Sequence, residues 1–145
     1  VIFQNCVITY NAHKFPTPLA MAVDLQTSSN QKFYILLDTS SVSGAHVYYR
    51  LQLTNNAPPQ AAHSANNKTF TVDGTAAAKN TTWTNGNKHT LILVLDGTRL
   101  LFYLDGQPLV DATIPQPQPN TTLNLASAGT ATITGIRQYS IPSGS

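Results

Sequence analysis

Two Asp-Gly pairs, nine residues apart, divide residues 88–113 into short apolar runs, and this pattern limits the possible fold more than any other feature. Asp-Gly between such runs is a strong marker of a β-hairpin, because glycine takes the positive φ that tight primed turns require. The runs 88–95, 99–104 and 108–113 are therefore predicted to be consecutive strands of a β-meander. Since the runs are almost continuously apolar, we expect them to be buried on both faces, or nearly so.

Turn signals recur every eight to twelve residues along the chain, and no segment has the periodicity of an amphipathic helix. This spacing predicts an all-β fold, a two-sheet antiparallel β-sandwich of the jelly-roll kind. Residues 1–145 are predicted to form a single domain. The long Ala- and Pro-rich stretch 57–79 is either a linker between strands or the rim of a site, because long loops in compact domains are often functional. The predicted strands are 2–9, 19–26, 32–38, 46–54, 68–72, 88–95, 99–104, 108–113, 121–126 and 130–141.

The charge distribution argues against several classes of partner. Charged residues make up 10% of the chain and give a net charge of +2, with no run of Lys or Arg. Binding to nucleic acid or to an anionic membrane is therefore not expected. Membrane insertion is not expected either, because no apolar run approaches the roughly 18 residues that span a bilayer. The chain begins at Val1 without a methionine or a signal peptide, which indicates a processed form or an excised domain.

The run 46–53 combines a core face with a polar face, because side chains of a strand alternate between the two sides of a sheet. Its apolar face holds Val47, Tyr49, Leu51 and Leu53. A guanidinium can grip vicinal hydroxyls or a carboxylate, imidazole and carboxamide groups can donate and accept, and a phenol ring can stack on a pyranose. We therefore predict a glycan-binding face made of His46, Tyr48, Arg50 and Gln52. The alternative is an exposed strand with chance polar residues, in which the arginine forms a surface salt bridge.

These features together resemble the galectin-like members of the concanavalin A-like sandwich superfamily, over residues from about 15 to 142. Galectin-type chains carry His-x-Asn-x-Arg on a strand of the concave sheet. Residues 46–50 keep the His and the Arg at that spacing, with Tyr48 in place of the Asn. This run follows a Phe-x-Ile-x-Leu strand at 33–37 and precedes the meander, as in the family, and residues 123–136 are similar to the closing strand. The resemblance implies a lectin fold with a sugar-facing strand at 46–54.

The chain also departs from the galectin pattern. Galectins stack a Trp under galactose and follow it with Glu and Arg, and no such triplet is present. The most similar residues are Phe70 in place of the Trp and Asp73 in place of the Glu, and Thr75 is found where the Arg would be. Trp83 precedes the turn at Gly86, where the family has a core aromatic, and is predicted to be core. The departures indicate another sugar or another pose, and the galectin-like receptor-binding heads of viral spike proteins are an equally good match.

Catalysis and metal binding are not predicted. The chain has no glutamate and six aspartates, and a retaining glycosidase needs two carboxyl groups about 5–5.5 Å apart. We therefore expect no enzyme activity and no catalytic residues. The sequence has one cysteine, and its four histidines lack the spacing of metal ligands: His13, His46, His63 and His89. No metal site and no other cofactor are expected.

Three N-glycosylation sequons begin at Asn67, Asn80 and Asn120, each in a predicted loop. Chance sequons are expected in a chain this rich in Asn and Thr, so they do not settle the compartment.

We therefore predict a carbohydrate-binding, lectin-like domain that recognises a cell-surface glycan and attaches a virus or an adhesin to host cells. Its place would be extracellular or on the virion surface. Possible partners in that role are a host receptor glycoprotein, which would carry the glycan, and further copies of the chain in a homo-oligomer. The alternatives are a protein-interaction module like the laminin-G domains, and a structural part of a capsid, fibre or adhesin with the Arg50 face buried between subunits.

Overall fold

Antiparallel β-strands account for the regular structure of the chain, as the sequence predicts. The computed structural model describes residues 2–16, 18–27, 32–54, 57–76, 83 and 86–140, without the side chains of 2–15 and 140. This part of the chain contains ten strands and no α-helix. They are β1 (Ile2–Pro16), β2 (Leu19–Gln26), β3 (Lys32–Ser40), β4 (His46–Thr54), β5 (Gln60–Ser64), β6 (Thr71–Thr75), β7 (Lys88–Asp96), β8 (Arg99–Leu104), β9 (Gln107–Thr113) and β10 (Asn120–Ser140).

A continuous hydrogen-bonded path joins the strands in the order β6-β5-β4-β3-β10-β2-β7-β8-β9, and β1 pairs with β10 beside it. The 21-residue strand β10 serves both layers of the fold. Its residues 120–127 pair with β3, and its residues 132–140 pair with β2. The first layer therefore contains β3 to β6, the second contains β2 and β7 to β9, and one apolar core joins side chains of both.

The two ends of this path, β6 and β9, lie against each other. A Cβ atom on Gly74 of β6 would lie 3.0 Å from Val110 Cγ1 and 3.1 Å from the Cβ of Ala112 in β9. A residue without a side chain permits this close approach. The fold is thus the predicted antiparallel β-sandwich, with its two layers in contact along this side.

The meander predicted at 88–113 is present as β7, β8 and β9. In its second turn Asp105 and Gly106 have φ of 51° and 81°, the pattern of a type I′ hairpin turn. The inward side chains of β7 and β8 are at most 6% exposed, but Ile92, Val94 and Leu101 on the outer face are half-buried. The expectation of near-complete burial is wrong for the outer face, because a two-layer fold covers only one face of each sheet.

Four strands differ from the sequence prediction by more than two residues. β1 runs to Pro16 instead of ending at residue 9. β5 lies in the stretch 57–79 and is not among the predicted strands, because alanine has a low preference for strands. It forms because Ala61 and Ala62 are buried where β5 pairs with β4 on one side and β6 on the other. β6 begins at Thr71 instead of at residue 68. The two predicted C-terminal strands form a single β10, because β1 pairs across the small residues that separate them.

The sequons have different places in the fold. Asn67 is exposed in the loop between β5 and β6, with φ of 60°. Asn120 opens β10 and pairs with Ser40, so its predicted place in a loop is wrong. Asn80 lies outside the described residues.

Asp24 forms a polar link between three strands on the outer face of the second layer. The Thr90 hydroxyl donates a hydrogen bond of 2.6 Å to Asp24 Oδ1, and the Arg137 guanidinium donates to both carboxylate oxygens. The hydrogen bond from Thr90, followed by that from Arg137, holds the pKa of Asp24 below its usual value. A carboxyl group whose pKa is lowered on folding stabilises the fold above its unfolded pKa, and this stabilisation is lost as the pH falls.

We expect the Asp24→Asn variant to lose less stability on acidification than the parent protein. The unfolded carboxyl group takes up its proton below about pH 4, before the folded one does, and the contribution of Asp24 then shrinks. The measurement is the free energy of unfolding in urea at about pH 7 and about pH 3. The control Asp96→Asn removes an exposed carboxyl group at the end of β7, and its free energy of unfolding should fall as much as that of the parent. An equal fall in Asp24→Asn and the parent would contradict the prediction.

Candidate functional site

The predicted division of β4 into an inward and an outward face is confirmed. Tyr49, Leu51 and Leu53 point into the core and are at most 2% exposed. The alternate side chains line the outer face of the first layer: His46, Tyr48, Arg50 and Gln52. Of these four, Arg50 lines a cavity on this face, and the other three lie outside that cavity.

The strands beside β4 supply the surroundings of Arg50. Leu36 of β3 lies opposite Arg50, and Asn124 of β10 lies opposite Leu36. One pair further along, Tyr34 of β3 lies opposite both Gln52 and a small alanine of β10. Cross-strand neighbours on one face are about 5 Å apart, so these side chains meet on the outer face.

The loop between β5 and β6 closes the cavity from above. Ser64 Oγ accepts hydrogen bonds from the backbone N–H groups of Asn66 and Asn67, at 3.1 and 2.9 Å. Asn66 Oδ1 in turn accepts from the N–H groups of Lys68 and Thr69, at 2.9 and 3.0 Å. Such side-chain-to-backbone bonds fix a turn. The folded loop brings two residues to the cavity, Asn67 and Phe70.

The Arg50 guanidinium contacts two aromatic rings. Its Cζ atom lies 4.2 Å from the centre of the Phe70 ring and 5.4 Å from the centre of the Tyr34 ring, which are cation–π distances. Its Nε atom is buried and has no hydrogen-bond partner among the described residues. The predicted alternative, a surface salt bridge of Arg50, is absent from the described part of the chain.

The cavity has a volume of about 220 Å³ and a mostly apolar wall with a few polar groups. Its lining residues are Tyr34, Leu36, Arg50, Asn67, Phe70, Asn124 and Ala126. Apolar surface with a few placed polar groups is typical of small-molecule sites. The cavity therefore offers ring faces and donor groups to a ligand about the size of one sugar ring.

His46 and Tyr48 form a second surface on the same face. Their rings are parallel within 7°, with centres 5.7 Å apart. Asp38 Oδ1 lies 2.7 Å from His46 Nδ1, so the carboxylate accepts from this nitrogen and fixes the ring. Burial, and then the Asp38 carboxylate, raise the pKa of Tyr48. A tyrosine hydroxyl is protonated at neutral pH even without this shift, so Tyr48 can donate a hydrogen bond.

Gln52 has a partner within its own strand. Its side-chain amide donates a 2.7 Å hydrogen bond to the Thr54 hydroxyl. Gln52 is on the predicted face but does not line the cavity. A ligand that uses its amide must share it with Thr54.

Sequence reasoning missed most of the cavity wall. Tyr34 and Leu36 could have been found from the alternation along β3, but their position opposite Arg50 depends on strand register. The sequence indicated Phe70 only as a weak counterpart of the galectin Trp. It reaches the cavity, whereas Asp73 instead pairs with His63 on the inner side. Trp83 is fully buried, which confirms its predicted place in the core.

The acidic side chains are dispersed. Five of the six aspartates each contact a different basic side chain, three histidines and two arginines, and the sixth, Asp96, is exposed at the end of β7. No group of three His, Cys, Asp or Glu side chains converges in the described residues, which exclude the side chain of His13. No described helix has the length and apolarity needed to cross a membrane.

Neither a protein-family model nor a curated protein matches the sequence. Solved structures share its fold. Sheep galectin-11 in complex with glycerol matches with a TM-score of 0.65 at 9% identity, over 94% of this chain and 98% of that chain. The carbohydrate-binding module CBM66 from Bacillus subtilis matches with a TM-score of 0.65 at 13% identity, over 94% and 97%. A Bacillus subtilis protein of unknown function with a galectin-like fold matches with a TM-score of 0.71 at 10% identity, over 92% and 76%.

Glycoside hydrolases have the same architecture, a β-glucanase and two porphyranases included. Their TM-scores are 0.56 to 0.63 at 9 to 13% identity, and the chain covers 64 to 69% of their length. Likeness at such identities establishes the fold alone. The chain has the β-sandwich fold of galectins and carbohydrate-binding modules.

Proposed function

We propose that this chain is a carbohydrate-binding, lectin-like domain that binds a cell-surface glycan on the outer face of its first layer. The observation that carries the proposal is the Arg50 guanidinium, which contacts two rings in a cavity and whose Nε has no partner among the described residues. A buried donor without an acceptor costs about 1–3 kcal/mol, which a ligand oxygen can recover. Support comes from the fold, which a galectin and a carbohydrate-binding module share.

The arrangement suits a sugar because a pyranose has an apolar face and a polar edge. The apolar face can lie on the wall formed by Leu36 and Phe70, while hydroxyls accept from Arg50. The stacked His46 and Tyr48 rings extend the same surface along β4. His46 and Arg50 are four residues apart, roughly 13 Å along a strand, so a ligand that touches both is an oligosaccharide.

The domain acts by binding and not by catalysis, in this proposal. Retaining glycosidases need a pair of carboxyl groups about 5–5.5 Å apart, and this chain has no glutamate. On the proposed face, Asp38 already binds His46. Release of sugar from any labelled oligosaccharide by the purified protein would overturn this part of the proposal.

Attachment to a host cell, from a virion or as part of an adhesin, is the role we propose for such binding, with the domain outside the cell. A small polar ligand buries little apolar area, so we expect weak affinity at each site. Several copies displayed together, as in a homo-oligomer or on a receptor glycoprotein with many glycans, would supply avidity.

A glycan array with the purified protein tests the proposal, together with binding to cells before and after enzymatic deglycosylation. We expect signal from a subset of glycans and loss of cell binding after deglycosylation. Undiminished binding to deglycosylated cells, with a silent array, would favour the protein-interaction alternative and overturn the proposal.

A further inference from the structure

We infer that the glycan carries a carboxylate, as a sialic or uronic acid does, and that this group binds at Arg50. The inference rests on the proposed function and names the chemical class of its ligand. It follows from the charges around the cavity, from the state of the guanidinium and from the position of the nearest acid on the same face.

Within the described part of the chain, Arg50 differs from the other two arginines in having no acidic partner. Arg99 donates to both oxygens of Asp111, at 3.0 and 2.8 Å, and Arg137 donates to both oxygens of Asp24. Among the described residues, Arg50 makes neither a hydrogen bond through Nε nor an ion pair. Its planar fork is thus available for a carboxylate, the partner that the other two arginines already have.

Two lysines lie near the cavity, and no acidic residue lines it. Lys32 Nζ lies 5.7 Å from the centre of the same Tyr34 ring that Arg50 contacts. Lys68 directly follows Asn67 in the exposed loop above the cavity. None of the cavity-lining residues is Asp or Glu. The local field therefore favours an anionic ligand over a neutral one.

The geometry of Arg50 also favours a carboxylate over a hydroxyl. The two rings and the burial of Nε remove water from part of the guanidinium, and a partly desolvated charge gains most from a partner of opposite charge. Charge-assisted bonds between guanidinium and carboxylate are roughly twice as strong as neutral ones. A neutral sugar would leave this charge uncompensated.

Asp38 sets the direction of the ligand. It lies opposite Tyr48 and holds His46, so the only aspartate on the outward row of β3 is at the end of the site away from the cavity. A carboxylate on the ligand would be repelled there. The acidic unit therefore lies over Arg50, and a neutral unit lies over His46 and Tyr48.

The test compares matched methyl glycosides by titration calorimetry or by ligand-observed NMR on the full chain. The acidic probes are those of N-acetylneuraminic acid and glucuronic acid; the neutral probes are the methyl ester of each, and a glucose 6-sulfate glycoside tests a non-carboxylate anion. We expect at least one acidic probe to bind roughly tenfold more tightly than its ester, with the advantage reduced by salt. The two acids distinguish the two sources of the carboxylate.

The Arg99→Ala variant is the matched control, because it removes the same charge from an exposed ion pair in the second layer. It should keep the preference for the acid, and Arg50→Ala should bind neither the acid nor the ester detectably. Equal binding of acid and ester, both lost in Arg50→Ala, would overturn the carboxylate but leave the proposed function standing. Binding of the glucose 6-sulfate glycoside, without binding of either carboxylate probe, would also overturn the inference of a carboxylate. No binding of any probe, with a silent glycan array, would overturn both.

Discussion

Replacement of Arg50 by alanine should abolish detectable glycan binding while the protein remains folded. The side chain supplies the charged donors of the cavity and the cation that both rings contact. A hydrogen bond to a charged group contributes about 1.5–3 kcal/mol, so we expect affinity to fall roughly 10- to 150-fold. For a weak site such a loss takes the signal below detection. The measurement is binding to the best glycan of the array.

Arg50→Lys separates charge from shape in the same experiment. Lysine keeps the positive charge but lacks the planar fork and stacks less well on rings, so we expect it to recover only part of the binding. Loss of the contacts to Tyr34 and Phe70 should lower the melting temperature of Arg50→Ala by a few degrees, since an exposed or half-buried cation–π contact contributes about 0.5–2 kcal/mol. Full binding by a folded Arg50→Ala protein would place the site elsewhere.

The strands with strong local signals could be predicted from the sequence. The bounds of β2, β4 and β8 agree with the predicted 19–26, 46–54 and 99–104, because alternating apolar residues between turn residues determine a strand locally. β5 could not be found in this way. Its sequence Gln-Ala-Ala-His-Ser has no such signal, and it is a strand because β4 and β6 pair with it on both sides.

The site shows the same division between local and non-local information. Alternation along β4 was enough to place His46, Tyr48 and Arg50 on one face. The contact of Arg50 with Tyr34 depends on the register of β3 against β4, and its contact with Phe70 depends on a loop closed by Ser64. Neither can be predicted from spacing along the chain. The sequence could therefore indicate the central cation of the candidate site but not the groups around it.

Two His–Asp pairs of the first layer differ in their exposure to water. In the pair of His46 and Asp38 the side chains are 40% and 26% exposed. In the pair of His63 and Asp73 they are 26% and 9% exposed, and both carboxylate oxygens lie 2.7 Å from His63 Nδ1. Two pairs of the same chemistry thus allow the effect of burial on such a pair to be measured within one protein.

His63→Ala should destabilise the protein far more than His46→Ala. His63 lies opposite the fully buried Tyr49, and burial, followed by the charge of Asp73, raises the pKa of that tyrosine. The Asp73 side chain is only 9% exposed, so removal of His63 would leave a poorly hydrated carboxylate without its hydrogen-bond donor. Breaking a buried pair from one side costs about 3–5 kcal/mol, and the partial exposure of His63 lowers our expectation to about 2–4 kcal/mol. For His46→Ala we expect less than about 1 kcal/mol.

Urea unfolding of both single variants at neutral pH measures these costs, and the double variant His63→Ala/Asp73→Ala identifies their origin. If the uncompensated carboxylate is the cause, removal of Asp73 as well should restore part of the lost stability, so the double variant should be more stable than His63→Ala. If instead the imidazole contributes by packing alone, the second substitution will only add to the loss. A double variant less stable than His63→Ala would therefore contradict the assignment of the loss to the Asp73 charge.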